Sequence, residues 1–360
     1  MPNRYLLCLT LPLALAACGD DARNAVPDEA APARLEVAED AAPTAAEAPD
    51  APLPRATVTD TLGSFEGQVF GLAVWEHQTL SFGGAVLAAN GEAGLAVVPI
   101  DQEIEGGVVE GTFDGPVAVG YTEEASFAAA ASGGEVLLFT VAPDRAFTRI
   151  GALASDADAL CMIGDVLLAV SDEATAYRVT PAGTADPLFA RPAPAGTSCA
   201  ATDERFFLAA PGAPLRSFDV EGGDPLVDDG YTARQPRGFA ALATPDGRAL
   251  VYADDGALHV DGPATAHTSV RLLRERQTVT PDGPLATGSG NFGSIYRDGV
   301  VAMLTGPDLV LLPWAGIARA AGLEGVGSAS LRPREPVTLP QPEIDLQLPQ
   351  IETEPGPSED

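Results

Sequence analysis

The sequence predicts an all-β fold, a six-bladed β-propeller with disordered acidic N- and C-terminal tails, and three observations carry that expectation. First, between residues 56 and 324 the runs of Val, Leu, Ala and Phe are short and end in Gly-Gly, Asp-Gly or Pro-Asp-Gly. Short apolar runs closed by turn residues mark strands rather than helices. Second, a unit of apolar strand, turn rich in Gly, Asp or Ala, and second apolar strand recurs from Gly84, Ala125, Gly164, Asp203, Asp246 and Asp298. Its copies begin about 40 residues apart, and about 50 at the last step, the period of a four-stranded propeller blade. Six copies imply six blades around a channel, and a β-solenoid, the competing repeat, has a shorter period. Third, the flanking text is Ala, Pro, Asp and Glu with scarcely an aromatic residue, too little apolar surface to build a core.

In chain order, Arg4 precedes an apolar run from Tyr5 to Ala17, interrupted by Thr10 and Pro12. The run is too short to span a bilayer and ends in small residues, so residues 1–17 read as a cleaved signal. Leu15-Ala16-Ala17-Cys18 matches the lipobox, in which the Cys thiol is diacylated before cleavage. Cys18 is therefore the expected lipidated first residue of the mature chain, anchored in the bilayer more firmly than one acyl chain would allow. Gly19 rather than Asp follows it, which favours the outer membrane with the domain facing the periplasm. Residues 18–55 are the expected tether, 56–324 the propeller, and 325–360 a Pro-rich acidic tail. The one expected helix runs from Trp314 to Leu323, with Trp314 filling the core of the closing blade.

Composition excludes several functions. The chain has 51 acidic and 20 basic side chains, a net charge of −31, and every basic residue is Arg. Nucleic acid and anionic lipid headgroups need cationic patches, so neither is an expected partner, and cations are the favoured ligands. Without Lys there is no Schiff-base chemistry and no Walker-type phosphate loop. Cys8 lies within the signal, which leaves Cys161 and Cys199 in an oxidising compartment where a disulfide persists. Two buried free thiols, packing as small apolar side chains, remain the alternative.

Val86-LAANGEAGLAVVPID reads as a hairpin with a polar turn, Leu309-VLLPWAGIARAAGL as a closing strand, Pro-Trp and a short helix, Ala73-Val74-Trp75 as an early strand, and Leu160-CMIGDVLLAVSDEATAYRV as a middle blade. Together these stretches resemble the β-propeller phytases, six-bladed calcium-dependent enzymes that release phosphate from inositol hexakisphosphate. The first resembles the family's first-blade hairpin, the second its closing strand and helix, the third its Ala-Ile-Trp and the fourth its middle blade. The resemblance implies calcium as cofactor and a phosphate ester as substrate. It also exposes departures. An Asp-Asp pair is replaced around Phe70 and Gly71, and a Lys-bearing turn is Gly91-Glu92-Ala93. An Asn-Arg turn is Ala131-Ser132-Gly133, a Glu is Ala159, and an Asp-Gly-Glu-Asn turn is Thr305-Gly306-Pro307. Pro236-Arg237-Gly238-Phe239 puts a base where the family has an acid, and Arg237 is left as the one candidate phosphate ligand. Ser171-Asp172-Glu173 is the acidic turn that survives, making Asp172 and Glu173 the candidate metal ligands, with a solvated hairpin as the alternative.

Other constellations are weaker. Asp254-Asp255-Gly256 has the look of a calcium turn but reads better as a hairpin. His77, His259 and His267 show no metal-ligand spacing, and His259 reads as a packed or surface strand residue. Two functions are carried forward: calcium-dependent hydrolysis of phytate or another phosphomonoester, degenerate for want of ligands, and a non-catalytic propeller scaffold of the periplasm.

Overall fold

The computed structural model describes residues 52–228, 231, 237–245, 247–262, 267–323 and 327–333. Cys18, the signal and most of the tether lie outside the described residues. The described chain is a six-bladed β-propeller.

Blade 1 is Gly71–Trp75, Ala85–Ala89, Leu95–Pro99 and Gly107–Val109. Blade 2 is Val117–Tyr121, Ser126–Ser132, Glu135–Val141 and Phe147–Ala154. Blade 3 is Ala159–Ile163, Val166–Val170, Glu173–Val179 and Ala185–Pro192. Blade 4 is Ser198–Ala201, Arg205–Ala209, Leu215–Asp219 and Leu226–Asp228. Blade 5 is Arg237–Thr244, Gly247–Asp254, Ala257–Asp261 and Thr268–Arg274, extended by Gln277–Val279 and, in parallel, by Arg55–Thr57. Blade 6 takes Leu285–Gly288, Val300–Thr305 and Asp308–Pro313 from late in the chain and its outermost strand, Asp60–Ser64, from the start of the domain. That borrowed strand ties the two ends of the ring together by its ladder to Asp308–Leu311 and by packing Leu62 on the core between blades 1 and 6. The repeat seen in the sequence is the hairpin of the second and third strands of each blade.

The first strands of the six blades touch in sequence and the sixth meets the first, so they line a closed ring. They run in register: a Cβ on Gly71 would meet Gly115 and Pro116 at the start of the next inner strand, and one on Gly120 would meet Met162 and Gly164. The face where these strands begin is called the upper face here, and the face where they end the lower.

Both faces of every inner sheet are buried, which is why the strands read as continuous apolar runs. In blade 1, Leu72, Val74, Val86 and Ala88 pack against Val300 and Leu309 of blade 6. The alternate residues Ala73, Trp75, Ala85 and Leu87 pack against Val117, Ala128 and Phe139 of blade 2. Successive side chains of a strand point to opposite faces, so one apolar run feeds two core layers. Each fully buried Leu or Val contributes about 1.5–3 kcal/mol.

Trp314–Ala320 is helical and buries Trp314, Ile317 and Ala318 in the layer between blades 5 and 6. It stops before Leu323 because Gly322 takes φ 75°, the left-handed conformation that ends helices. The Asp254-Asp255-Gly256 stretch is a two-residue hairpin, with φ 47° at Asp255 and 77° at Gly256. The tail expected from residue 325 needs one correction: residues 327–333 return to the lower face and are part of the domain. Arg332 is the cause, since a guanidinium with matched oxygen partners is more stable docked than loose. Among the described residues no helix is long and apolar enough to cross a membrane.

Candidate functional site

The six inner strands enclose a central channel. Its wall takes Val74, Val119, Met162, Ala200, Ala240 and Ala286 from the six inner strands and leaves a cavity of about 100 Å³. Small and apolar side chains fill it, and among the described residues Glu76 is the one carboxylate along it. At the upper mouth the inner strands open on Gly71, Val117, Ala159, Ser198, Arg237 and Leu285, none of them acidic.

The lower mouth is closed by residues 327–333, with Leu331 reaching the channel lining. Arg332 Nη2 donates to the Glu76 carbonyl at 2.8 Å and to Ser126 Oγ at 2.5 Å. Its guanidinium lies 4.5 Å above the centre of the Tyr121 ring. Ser330 Oγ bonds both Glu76 carboxylate oxygens, at 2.8 and 2.7 Å. Ser328 Oγ accepts from Gly290 N–H, and Ala329 N–H donates to the Ala243 carbonyl. Glu76 is 3% exposed and Arg332 5%, so an acid and a base are buried together at this mouth. Burial pushes the Tyr121 hydroxyl pKa well above its ordinary value.

The sequence-predicted residues are scattered. Asp172 and Glu173 lie on the exposed turn between the second and third strands of blade 3, where Ser171 N–H donates to the Glu173 carbonyl. Arg237 opens the inner strand of blade 5 opposite Ala253, and its side chain lies outside the described residues. Blade 4 separates the two. Calcium takes six to eight oxygen ligands, and among the described residues no three His, Cys, Asp or Glu side chains gather in an arrangement that could hold a metal ion. The residues present therefore do not fit a calcium cluster at the channel mouth. Cys161 and Cys199, on the inner strands of blades 3 and 4, are joined by a disulfide that lies along the channel wall.

One cluster was not visible in the sequence. Tyr252, His259 and Ser269 are cross-strand neighbours on the second, third and fourth strands of blade 5. His267, just before the fourth strand, stacks on His259 with ring centres 4.8 Å apart. His267 Nε2 and His259 Nδ1 face each other at 3.1 Å. His259 Nε2 meets the Asp254 carbonyl at 2.9 Å, and His267 Nδ1 meets Asp261 Oδ1 at 3.2 Å and the Tyr252 hydroxyl at 2.8 Å. Burial raises the Asp261 carboxyl pKa, against the opposing pull of His267. The spacing of eight residues between the histidines carries no signal until the strands pair.

No protein-family model matches the chain, and no curated protein matches it.

Proposed function

We propose that the protein is a non-catalytic propeller scaffold of the cell envelope, held by an acylated Cys18, that binds a protein partner across its lower face. The observation that carries the reading is the channel, whose apolar wall and lower mouth, crossed by residues 327–333, offer no set of ligands for a metal ion among the described residues. Three of the exposed large apolar side chains, Leu80, Phe82 and Ile295, stand on the loops leaving the inner strands of blades 1 and 6, around the docked segment. Blades 1 and 6 are neighbours, so these loops share one side of the lower face, and exposed apolar groups gathered on one face favour a partner surface.

The test is phosphate release from phytate by the full chain, with calcium and with chelator. No release in either condition is expected. Calcium-dependent turnover would overturn the scaffold reading and restore the phosphomonoesterase, built from acids outside the described residues.

A further inference from the structure

The geometry points to a second site, remote from the channel: we propose that His259 and His267 on blade 5 bind a borderline divalent transition-metal ion such as Cu²⁺ or Zn²⁺. A backbone carbonyl only accepts, so the contact from His259 Nε2 to the Asp254 carbonyl, 2.9 Å, places that ring's proton on Nε2. An ionised carboxylate also only accepts, so Asp261 Oδ1, 3.2 Å from His267 Nδ1, favours a proton on Nδ1, with the Tyr252 hydroxyl, 2.8 Å away, as a second acceptor. In that tautomer His259 Nδ1 and His267 Nε2 both carry lone pairs, 3.1 Å apart, and a cation between them satisfies both. In the other tautomer the Tyr252 hydroxyl donates to Nδ1 and the rings join by an N–H···N bond, the arrangement that the metal displaces. Ser269 Oγ, 3.0 Å from His259 Nδ1, can donate to it or turn to the metal.

The dimensions suit a metal. Two nitrogens each about 2.0–2.1 Å from a tetrahedral ion lie about 3.3 Å apart, and the observed separation is 3.1 Å. Imidazole nitrogens select copper, zinc and nickel over calcium and magnesium. The outer contacts are also those of a ligating histidine, whose second nitrogen is held by a carboxylate or carbonyl that fixes the ring and raises its basicity. The pair supplies two protein nitrogens, so the remaining positions fall to Ser269 Oγ and solvent. Solvent reaches the site, since the His267 side chain is 36% exposed. Arg248, paired with Asp228 at 3.5 Å, is the cation whose charge acts on Asp261, while Asp254 and Asp228 keep the surroundings net acidic. Beneath the pair, the Tyr231 ring packs on Tyr252, and its buried hydroxyl has no hydrogen-bond partner among the described residues.

The experiment titrates the full chain, first stripped with chelator, with Cu²⁺ and follows it by electron paramagnetic resonance. One tight equivalent whose hyperfine structure reports two imidazole nitrogens is expected. His259→Ala and His267→Ala should each abolish that spectrum. Asp261→Asn should weaken binding about 10–100-fold, as loss of an outer hydrogen bond does, and His77→Ala should change nothing. The site is overturned if the copper spectrum of the unaltered chain shows oxygen ligands only, or if the two-nitrogen signal survives in either blade-5 histidine variant. Circular dichroism of each variant shows whether it is folded, and the spectrum of the unaltered chain decides the matter even where a variant is not.

Discussion

Replacing Cys161 and Cys199 together by Ala tests how the ring is held. The two residues are 38 apart in sequence, and they cross-link the inner strands of adjacent blades. A cross-link closing a loop of that length removes about 4 kcal/mol of conformational freedom from the unfolded chain, from the logarithmic dependence on loop length. Both side chains are buried between blades 3 and 4 against Leu168, Phe206 and Phe218. Ala is therefore preferred to Ser, which would bury a hydroxyl without a partner. For a domain of this size each kcal/mol moves the melting temperature by about 2 °C, so the double variant should melt about 8 °C lower. The assay is calorimetry of both proteins under oxidising conditions, repeated with dithiothreitol. Reductant should lower the melting temperature of the unaltered protein toward that of the variant and leave the variant unchanged. Coincident melting curves without reductant would refute the reasoning, as would non-reducing mass spectrometry that finds two free thiols.

Arg332→Ala should undock residues 327–333 while leaving the blades folded, because the lost contacts include the stacking on Tyr121 and two hydrogen bonds from a charged group, the latter worth about 1.5–3 kcal/mol each. Hydrogen exchange checks it: the amides of Gly290 and Ala329, bonded to or within the docked segment, should exchange faster while those of the inner strands do not. His77 carries a pH prediction. Burial, aided by the charges of Arg332 and Arg145, holds its pKa below 6.5, and Nδ1 accepts from the N–H groups of Thr79 and Leu80. A lowered folded-state pKa means the neutral ring belongs to the folded protein, so stability is full above 6.5 and is lost as pH falls below it. Melting curves from pH 7.5 down to 5 should show that loss, and His77→Gln should flatten it.

The blades were legible because both faces of each sheet are buried and the second and third strands repeat at a constant period. Gly84 to Asp101 already shows a hairpin, and its turn residues announce themselves. What stayed hidden depends on pairing across long separations. Asp60–Ser64 carries little apolar signal, and its role as the last blade's edge appears only beside Asp308–Pro313. Leu331-Arg332 sits in Ala, Ser and Pro text that reads as tail, and its partners Glu76, Tyr121 and Ser126, all more than 200 residues earlier, explain why it docks. The histidine pair was unreadable for the same reason, since strand register rather than sequence spacing brings the rings together. Phe70, Gly71 and Ala159, the departures from the phytase pattern, were legible as single substitutions. Their joint effect, six inner strands of which none opens on an acid, needed the ring.

The inner strands also explain where recognition can and cannot occur. Gly120 lets its inner strand approach the next closely, since a Cβ there would clash with the Gly164 carbonyl, and Ala118, Ala200, Ala240 and Ala286 keep the wall small. Close approach near the axis leaves about 100 Å³ of channel. That is well below the 300–1,000 Å³ of an ordinary small-molecule pocket, so here the axis serves as core. Variation that does not disturb such a core is confined to loops and outer strands. The lower-face loops and the outer half of blade 5 are such places, the first offering apolar side chains and the second two imidazoles. A net charge of −31 draws cations toward the whole surface, but only the imidazoles on blade 5 distinguish one cation from another. Charge therefore raises the local concentration of every cation, and the two nitrogens do the selecting.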